Sequence, residues 1–434
     1  KLLKHISYIR SMQEDFLHYI WKFRKFCSPK LKTSSGEFVQ VFNPGIHNFN
    51  SGPDFIGALV EINEIKWAGN IELHVNSSDW NKHKHSLDSN YESVILHVVW
   101  NHDTEIQRLD GTYIPVLELK KNVKKDVYVS YKNFIQYQHK WLPCENQIQS
   151  VNSVTRVKWL ERLFFERLEY KSEKILECYQ DNNNDWEATL FKLLIENFGV
   201  KINQASFLSI GESLPFEVFR RLFNDLESLE AVLFGQAKLL TKNDNDDYQL
   251  RLLKDYNFIK HKYKITDQSF VNVNFFRLRP HGFPTIRLSQ FANLCVKHKS
   301  IFSNLLNCKT LNDYYDLFDA KASKYWETHY NFGKKSKKRN TKLTASFIDK
   351  IILNTILPLK HIYGKTIGRT CNDEITNLIN ELKSESNGIV KKYSTIGISS
   401  KNAMESQALI QLNHFYCNKK KCLKCDFGVN IIGN

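Results

Sequence analysis

Three apolar segments of strand length lie close together near the N-terminus, and they indicate a sheet in this part of the chain. Phe55 to Ile62 and Lys66 to Val75 have strand-like composition and are separated by Asn63-Glu64, a pair that suits a tight turn. Val94 to Trp100 (VILHVVW) is nearly continuous apolar sequence, which is typical of a strand buried on both faces. The sequence therefore predicts a β-hairpin followed by a central strand.

The segments around this hairpin complete an α/β core. Residues 13 to 26 place apolar side chains at helical spacing, with Glu14 and Asp15 in the first turn, and residues 38 to 42 have the composition of a strand. The polar segment 77 to 93 is expected to hold a short helix capped by Ser78 or Asp79. A last strand is expected at 113 to 119, at the edge of the sheet because of Pro115.

After residue 150 the composition changes to helix formers, and strand signals nearly vanish. Helices are expected throughout residues 151 to 240, and further helices at 248 to 266, 344 to 358, 372 to 384 and 402 to 416. The sequence thus predicts two parts, an α/β core over residues 12 to 145 and a mostly α-helical region over residues 151 to 434.

Candidate metal ligands concentrate in the hairpin. Asp54 follows Pro53 at the start of the first strand, and Glu72 and His74 lie two residues apart on the second strand, so that both project from one face. Hydrolysis of a phosphodiester bond needs carboxylates to hold divalent ions and a base or metal-bound hydroxide to supply the nucleophile. We expect Asp54 and Glu72 to hold Mg²⁺ or Mn²⁺, with His74 as base or third ligand.

These residues resemble the signature of the PD-(D/E)xK nucleases in order, spacing and placement. The resemblance implies a restriction-endonuclease-like mixed sheet, and Glu14 would correspond to the additional acid that many of these nucleases carry on the preceding helix. His74 departs from the signature, which has lysine there, and a neutral imidazole supplies no permanent positive charge. Glu118-Leu119-Lys120 matches the signature literally but lies too far along the chain for the hairpin arrangement. Without metal binding, Pro53-Asp54 would be a turn that begins a strand and Glu72 a solvent-facing side chain.

A second polar run follows the hairpin and could extend the metal site or contact phosphate. Its candidate ligands are Asp79, His83, His85 and Asp88, and His97 on the buried strand could point toward them. The alternative is an exposed polar loop for His83 and His85, and a hydrogen-bonded core residue for His97.

Three cysteines near the C-terminus have the spacing of metal ligands. Cys417, Cys422 and Cys425 form a C-x4-C-x2-C pattern, which suits Zn²⁺ or an iron-sulfur cluster, and both usually take four ligands. Cys144 is the favoured fourth ligand because it would connect this segment to the core, and the other candidates are Cys27, Cys371 and His414. The resemblance to the nucleases also favours Cys27, since some of them join one upstream cysteine to three near the C-terminus. Reduced, unliganded thiols are the alternative.

The charge of the chain favours an anionic partner. Its formal net charge is +15, and lysine and arginine surfaces attract nucleic acid through phosphate contacts. Arg277, Arg279 and Arg287 are candidate phosphate contacts, and Phe275, Phe276 and Phe283 could stack on unpaired bases. Lys334 and Lys335 begin a basic run that would add non-specific affinity. The arginines could equally form ion pairs within the protein.

The sequence gives no indication of a membrane or an oxidising compartment. No run of eighteen apolar residues is present, the first residues lack the apolar core of a signal peptide, and nine unevenly spaced cysteines do not form a secreted disulfide framework. We therefore expect a cytoplasmic location and no membrane partner.

Several longer stretches are similar to an uncharacterised bacterial family known as a domain of unknown function, over nearly the whole chain. They are EDFLHYIWKF, SGPDF, WAGNIELHV, SDWNKHKH, VILHVVW, FRLRPHGFPTIRL and SQALIQLNHFYCNKKKCLKC. This resemblance implies no activity. From the residues we expect a metal-dependent nuclease acting on DNA or RNA. The alternatives are a nucleic-acid-binding protein with a degenerate site and a metallohydrolase acting on a small molecule.

Overall fold

A computed structural model of the chain describes residues 14–48, 50–136, 141–240, 246–265 and 272–433. These residues form two compact units. The sheet unit is drawn from the ranges Lys1–Trp159, Lys391–Ser399 and Leu412–Asn434, and the helical unit from Leu160–Val390 and Ser400–Gln411. The predicted fold class is confirmed: a mixed sheet in the N-terminal region precedes a mostly helical region.

The sheet unit is built on a seven-stranded mixed sheet whose strands follow the order β1-β2-β4-β5-β6-β7, with β3 paired to β4. Its first strands pair antiparallel, whereas β6 is parallel to both β5 and β7. The strands are β1 (Leu31–Lys32), β2 (Phe38–Asn43), β3 (Ile46–His47), β4 (Phe55–Ile62), β5 (Ile65–Asn76), β6 (Val94–Asn101) and β7 (Val116–Glu118).

Strand β5 connects the two pairing modes of the sheet. Its first half pairs with β4 across the hairpin, and its second half pairs with β6. Ile71 belongs to both halves, because it is opposite Phe55 on one side and Leu96 on the other. All residues from Ile71 to His74 are buried. Glu72 and His74 of β5 therefore lie in the middle of the sheet.

The predicted hairpin turn is confirmed at Asn63 and Glu64. Their φ angles are 50° and 68°, and positive φ at both central residues is the geometry that matches the right-handed twist of the strands on either side. Val94 to Trp100 forms a strand with every residue but Ile95 buried, as its apolar sequence predicts.

Helices of the sheet unit cover the region around β5. Helix α1 (Glu14–Lys22) packs on β5 and buries Phe16, Leu17, Ile20 and Trp21. The short helix α2 (Asp79–Lys82) places Trp80 in an apolar cluster with Val94, Ile106 and Ile114. The other helical segments of this unit include α3 (Lys125–Gln136), the π-helix Leu412–Cys417 and α18 (Asp426–Gly433).

Two local predictions near α2 and β7 differ from the structure. Ser78 is the residue before α2, but its side chain makes no capping hydrogen bond, because its hydroxyl donates to Oδ2 of Asp103 at 2.7 Å instead. The strand expected at 113 to 119 is limited to Val116–Glu118, and it ends the strand order of the sheet, as expected from Pro115.

Helices and one short hairpin make up the remaining elements. No helix among the described residues combines the length and the apolar character that a membrane span requires. The helices are α4 (Ser153–Asp181), α5 (Trp186–Phe198), α6 (Val200–Glu212), α7 (Phe216–Leu222), α8 (Leu226–Gln236), α9 (Asp247–Lys262), α10 (Pro284–Lys297), α11 (Ile301–Asn307), α12 (Leu311–Leu317), α13 (Ala345–Ile351), the π-helix Ile352–Ile356, α14 (Leu357–Thr366), α15 (Asn372–Glu381), α16 (Gly388–Thr395) and α17 (Ala403–Gln411). The hairpin is β8 (His329–Asn331) with β9 (Lys334–Lys335).

A carboxylate is buried in the core of the helical unit. Glu230 lies on α8, where every residue from Leu229 to Gln236 is buried, and it accepts hydrogen bonds from the hydroxyls of Ser289 and Tyr248. Burial raises the pKa of Glu230 to about 7, although both hydrogen bonds act to lower it. The group therefore titrates near neutral pH.

Candidate metal centre

Asp54 and Glu72 are held together by reciprocal hydrogen bonds between side chain and main chain. Asp54 lies just before β4, and its Oδ2 accepts the backbone N–H of Leu73 at 3.0 Å. Oε2 of Glu72 accepts the backbone N–H of Asp54 at 3.1 Å. The antiparallel pairing of β4 with β5 brings the two positions side by side, so both carboxyl groups belong to one site.

Three imidazoles meet beside Glu72. One nitrogen of each of His74, His83 and His85 lies within 4.8 Å of one nitrogen of each of the others. His74 Nε2 is 3.0 Å from His83 Nδ1. Oε1 of Glu72 lies 3.5 Å from His74 Nε2 and 3.4 Å from His85 Nε2.

The three imidazoles come from different local structures. His74 is on β5, His83 is the residue after α2, and His85 begins a 3-10 turn. The ring of His85 stacks on Tyr91 with a centroid distance of 3.8 Å, which fixes its orientation. His74 is buried, whereas His83 is exposed. The cluster therefore reaches the protein surface on the side of His83.

His97 supports this cluster from within the sheet. It is opposite Glu72 in the parallel register of β5 and β6, and its Nε2 lies 2.9 Å from His74 Nδ1. When His74 donates its Nδ1 proton to His97, its Nε2 lone pair faces His83 and is available to a metal. The structure therefore gives His97 a positioning contact to His74.

His18 is a member of the site that the sequence reasoning missed. Its Nε2 lies 3.2 Å from Oδ2 of Asp54, and its ring makes an edge contact with His47 at 4.9 Å. The signal in the sequence is the spacing of Glu14 and His18 by four residues on α1, which puts both on one helix face. Without knowledge of what the helix covers, that spacing identifies no site.

The two carboxyl groups are driven to opposite protonation states. Burial raises the pKa of Glu72 well above its usual range, and the negative charge of Asp54 adds to this rise. Burial also acts to raise the pKa of Asp54, but the contact with His18 and the N–H of Leu73 outweigh it and hold that pKa below its usual value. Without a cation, Asp54 carries the charge and Glu72 keeps its proton near neutral pH.

The imidazoles of His74, His85 and His97 are neutral at the same pH. Burial lowers the pKa of His74 to about 4, assisted by His85 and His83, and burial followed by His83 lowers the pKa of His85. The pKa of His97 is also lowered, by burial and then by His74. Neutral imidazole is the form that binds a metal, so His74 and His85 do not have to lose a proton first.

The donor set fits a transition metal. His85 Nε2 is buried, makes no hydrogen bond and lies 3.4 Å from Oε1 of Glu72. Three imidazoles and a neighbouring carboxylate are typical ligands of Zn²⁺, Mn²⁺ or Fe²⁺, whereas Mg²⁺ prefers oxygen ligands and keeps several waters. Of the two ions expected from the sequence, these nitrogen donors suit Mn²⁺ better than Mg²⁺.

The other acids of the polar run make structural contacts. Asp79 Oδ2 accepts the N–H of Asn76 at 3.0 Å, and its Oδ1 lies 2.5 Å from the ammonium of Lys82. Asp88 caps a 3-10 turn by accepting the N–H of Asn90. Both side chains therefore stabilise the loop that carries His83 and His85.

The candidate cysteine ligands also belong to the sheet unit. Cys144 and Cys425 are buried, Cys417 and Cys422 are partly buried, and Cys27 is exposed. Burial raises the pKa of Cys144 to about 12, and the thiols of Cys425 and Cys422 contribute to that rise. Cys371 belongs to the helical unit.

The candidate nucleic-acid contacts belong to the helical unit and differ in accessibility. Arg277, Arg279, Lys334 and Lys335 are exposed. Arg287 is half-buried: its guanidinium lies 3.6 Å above the ring of Phe347 and donates to Gln290, and burial lowers its pKa to about 10. Its contacts are therefore made inside the unit.

Comparison with known proteins places the chain in a family without assigning it an activity. No curated protein and no solved structure gives a significant match. The family model described as "Protein of unknown function (DUF2851)" matches residues 14–388, which is most of the chain. The chain therefore belongs to the DUF2851 family.

Proposed function

We propose that this protein is a metal-dependent hydrolase of phosphodiester bonds in nucleic acid. The observation that carries the proposal is the convergence of Asp54, Glu72 and His74 with the imidazoles of the loop that follows β5. Three protein ligands that leave a coordination position open are typical of catalytic metal sites. A cation held there lowers the pKa of bound water, and the resulting hydroxide can attack phosphorus.

The surroundings of the site support hydrolysis by this route despite the absence of the signature lysine. Helix α1 precedes the strands that carry Asp54, Glu72 and His74, as the N-terminal helix does in the nucleases of the Pro-Asp type that these residues resemble. His74 takes the place of lysine and adds a nitrogen donor, so a bound cation would supply the positive charge that lysine otherwise provides. The exposed ring of His83 gives a substrate access to the centre.

Nucleic acid is the favoured substrate because of the basic surface of the chain. The formal net charge is +15, and the helical unit exposes Arg277, Arg279, Lys334 and Lys335 together with the ring of Phe276. The loop that carries these arginines contacts the β8–β9 hairpin through Phe283 and Tyr330, whose rings lie 6.0 Å apart. Cationic side chains near exposed aromatic rings are the usual composition of a surface for single strands.

The test uses the full chain, stripped with a chelator and reloaded with Mn²⁺, Zn²⁺ or Mg²⁺. Labelled single-stranded and double-stranded DNA and RNA serve as substrates. We expect cleavage with Mn²⁺ or Zn²⁺ and a loss of at least roughly 100-fold in Asp54→Asn and Glu72→Gln, in line with the effect of removing charge stabilisation from a catalytic site.

The matched control is Glu61→Gln, because Glu61 is on the strand that follows Asp54 and is opposite Lys66, away from the imidazoles. This variant should retain full activity. Cleavage that persists undiminished in both site variants would contradict the proposal. Salt-sensitive binding without cleavage under any ion would identify a non-catalytic binding protein, and turnover of small phosphodiesters alone would identify a small-molecule hydrolase.

A further inference from the structure

The C-terminal segment folds into two tight turns that carry three thiols. Cys417 ends a π-helix, and the chain reverses through Lys420, which has a φ of 53° and donates its N–H to Cys417 O at 3.0 Å. Cys422 begins a 3-10 turn in which the N–H of Cys425 donates to Cys422 O at 3.2 Å. Cys425 then immediately precedes α18. The turns are what bring this pattern of cysteines to one place.

The sulfur of Cys425 lies at the N-terminus of α18 and accepts backbone N–H groups there. The backbone N–H groups of Gly428 and Phe427 are directed at it. Gly428 permits this approach, because a Cβ at that position would lie 2.1 Å from Cys422 O. N–H groups that point at a sulfur stabilise a thiolate more than a thiol.

Cys144 lies near these turns, although it is far from them in the sequence. Tyr393 joins the two segments: its hydroxyl lies 3.2 Å from Cys417 Sγ, and its ring packs on Trp141, three residues before Cys144, at a centroid distance of 4.9 Å. Cys144 and Cys425 are only 8% and 7% exposed. Tyr393 of α16 therefore contacts both the turns that carry Cys417 and the segment that precedes Cys144.

The four thiols interact with one another, and a cationic side chain accompanies them. Cys144 interacts with Cys425 and Cys422, and Cys417 interacts with Cys144 and Cys422, so the sulfurs are near neighbours. The ammonium of Lys420 also interacts with Cys422. A cation among the sulfurs would relieve the mutual repulsion of their thiolates and hold all four in that form.

We propose that Cys144, Cys417, Cys422 and Cys425 form a four-thiolate metal centre that fastens the C-terminal segment to the sheet unit. The centre is separate from the histidine cluster and does not depend on the proposed nuclease activity. Cys27, the competing fourth ligand from sequence spacing, is exposed, and its backbone N–H is bonded to Asn122 O. Four ligands complete the coordination of structural zinc or of an iron-sulfur cluster.

The spacing of the sulfurs bears on which metal occupies the centre. A single tetrahedral Zn²⁺ with Zn–S bonds of about 2.3 Å holds its sulfurs about 3.8 Å apart. An iron-sulfur cluster places several irons between its ligands and accepts wider spacing, so metal and sulfide content distinguish the two forms.

The experiment measures metal, sulfide and absorption on the full chain purified without air. The expected result is bound metal that is lost in Cys144→Ser and Cys422→Ser, and iron with acid-labile sulfide and a broad visible absorption would establish the iron-sulfur form. One zinc per chain that is lost in the same variants, with a sulfur-ligand signature after Co²⁺ exchange, would establish the mononuclear form of the same centre. Cys27→Ser and Cys371→Ser are the matched controls and should keep the metal.

The histidine cluster is excluded as the source of the signal by Glu72→Gln, which should leave the thiolate signature unchanged. If a serine variant does not fold, the metal content and absorption of the folded wild-type chain still test the proposal. Absence of iron, zinc and any sulfur-ligand signature from that protein overturns the proposal. Retention of the metal by folded Cys144→Ser together with its loss from Cys27→Ser would also overturn the ligand assignment.

Discussion

Asp54 and Glu72 are joined by two reciprocal hydrogen bonds, in which the carboxyl group of each residue accepts a backbone N–H at or next to the other. One of these neighbouring acids is ionised and the other is protonated. Asp54 Oδ2 accepts from Leu73 N, and Glu72 Oε2 accepts from Asp54 N. The arrangement fixes both carboxyl groups before any ion arrives, so little reorganisation is needed on binding. It also sets how metal binding depends on pH.

Metal binding should release about one proton per chain near pH 7, and affinity for Mn²⁺ should rise with pH. The reason is that the raised pKa of Glu72 keeps this group protonated, and a cation must displace that proton to gain a carboxylate ligand. His74 and His85 have lowered pKa values and contribute no proton. Calorimetry in buffers of different ionisation enthalpy measures the release. Glu72→Gln should abolish it, and a release unchanged in that variant would exclude Glu72 as its source.

Replacing His97 with leucine should weaken Mn²⁺ binding by roughly 10- to 100-fold, the usual effect of removing a hydrogen-bond partner of a ligating histidine. His97 contacts His74 Nδ1 at 2.9 Å, whereas the opposite nitrogen of His74, Nε2, is the one that contacts His83. His102→Leu is the control, because His102 contacts Glu105 and Ser77 outside the cluster. Equal affinity in wild type and His97→Leu would show that the contact does not position His74.

Gly45→Ala should lower the free energy of unfolding by about 1–3 kcal/mol, since strain in a rarely populated backbone region is of that size. Gly45 has a φ of 88°, and a Cβ there would lie 2.9 Å from Ile56 O. Gly36→Ala separates the cost of the positive φ from the cost of the steric contact. Gly36 has a φ of 92°, and a Cβ added to it would meet no atom within 4 Å. Denaturant titration of both variants should show the larger loss for Gly45→Ala, and equal losses would mean that the close approach to β4 has no cost.

Stability of the helical unit should fall as pH rises from about 4.5 to about 7, and Glu230→Gln should remove this dependence. The folded-state pKa of Glu230 is raised to about 7 from 4.5, so the folded protein binds the proton more tightly than the unfolded chain does. The contribution of protonated Glu230 to the free energy of unfolding is fully present below about pH 4.5 and is lost as the pH rises through about 7. It amounts to about 3 kcal/mol, at roughly 1.4 kcal/mol per pKa unit.

Thermal unfolding between about pH 5 and pH 8 measures this effect, since the window spans the pKa of the folded state. Glu227→Gln is the control, because Glu227 lies on the same helix and pairs with Arg251 at the surface. Its profile should follow that of the wild type. A profile of Glu230→Gln that falls as steeply as the wild type would show that another group is responsible.

The elements predicted from local pattern are largely those of the structure, because alternation and turn chemistry act over a few residues. Strand alternation predicts that Glu72 and His74 share a face, and the hairpin turn at Asn63 and Glu64 is found where it was expected. The contribution of His18 could not be predicted, since it depends on which strand α1 covers. The helices expected at 344 to 358 and 402 to 416 each contain a π-helical segment, which leaves no periodic mark in the sequence.

The four donors at the histidine cluster, from Glu72 to His85, are near neighbours in the chain. The entropy lost when a loop closes grows only with the logarithm of its length, yet joining these donors still costs less than joining Cys144 to Cys425. An ion could therefore be captured by a strand and the loop after it while distant segments are still unfolded. Metal at this cluster would act early in folding and stabilise a local strand and loop, whereas a link between the cysteines can form only after the distant segments of the sheet unit have met.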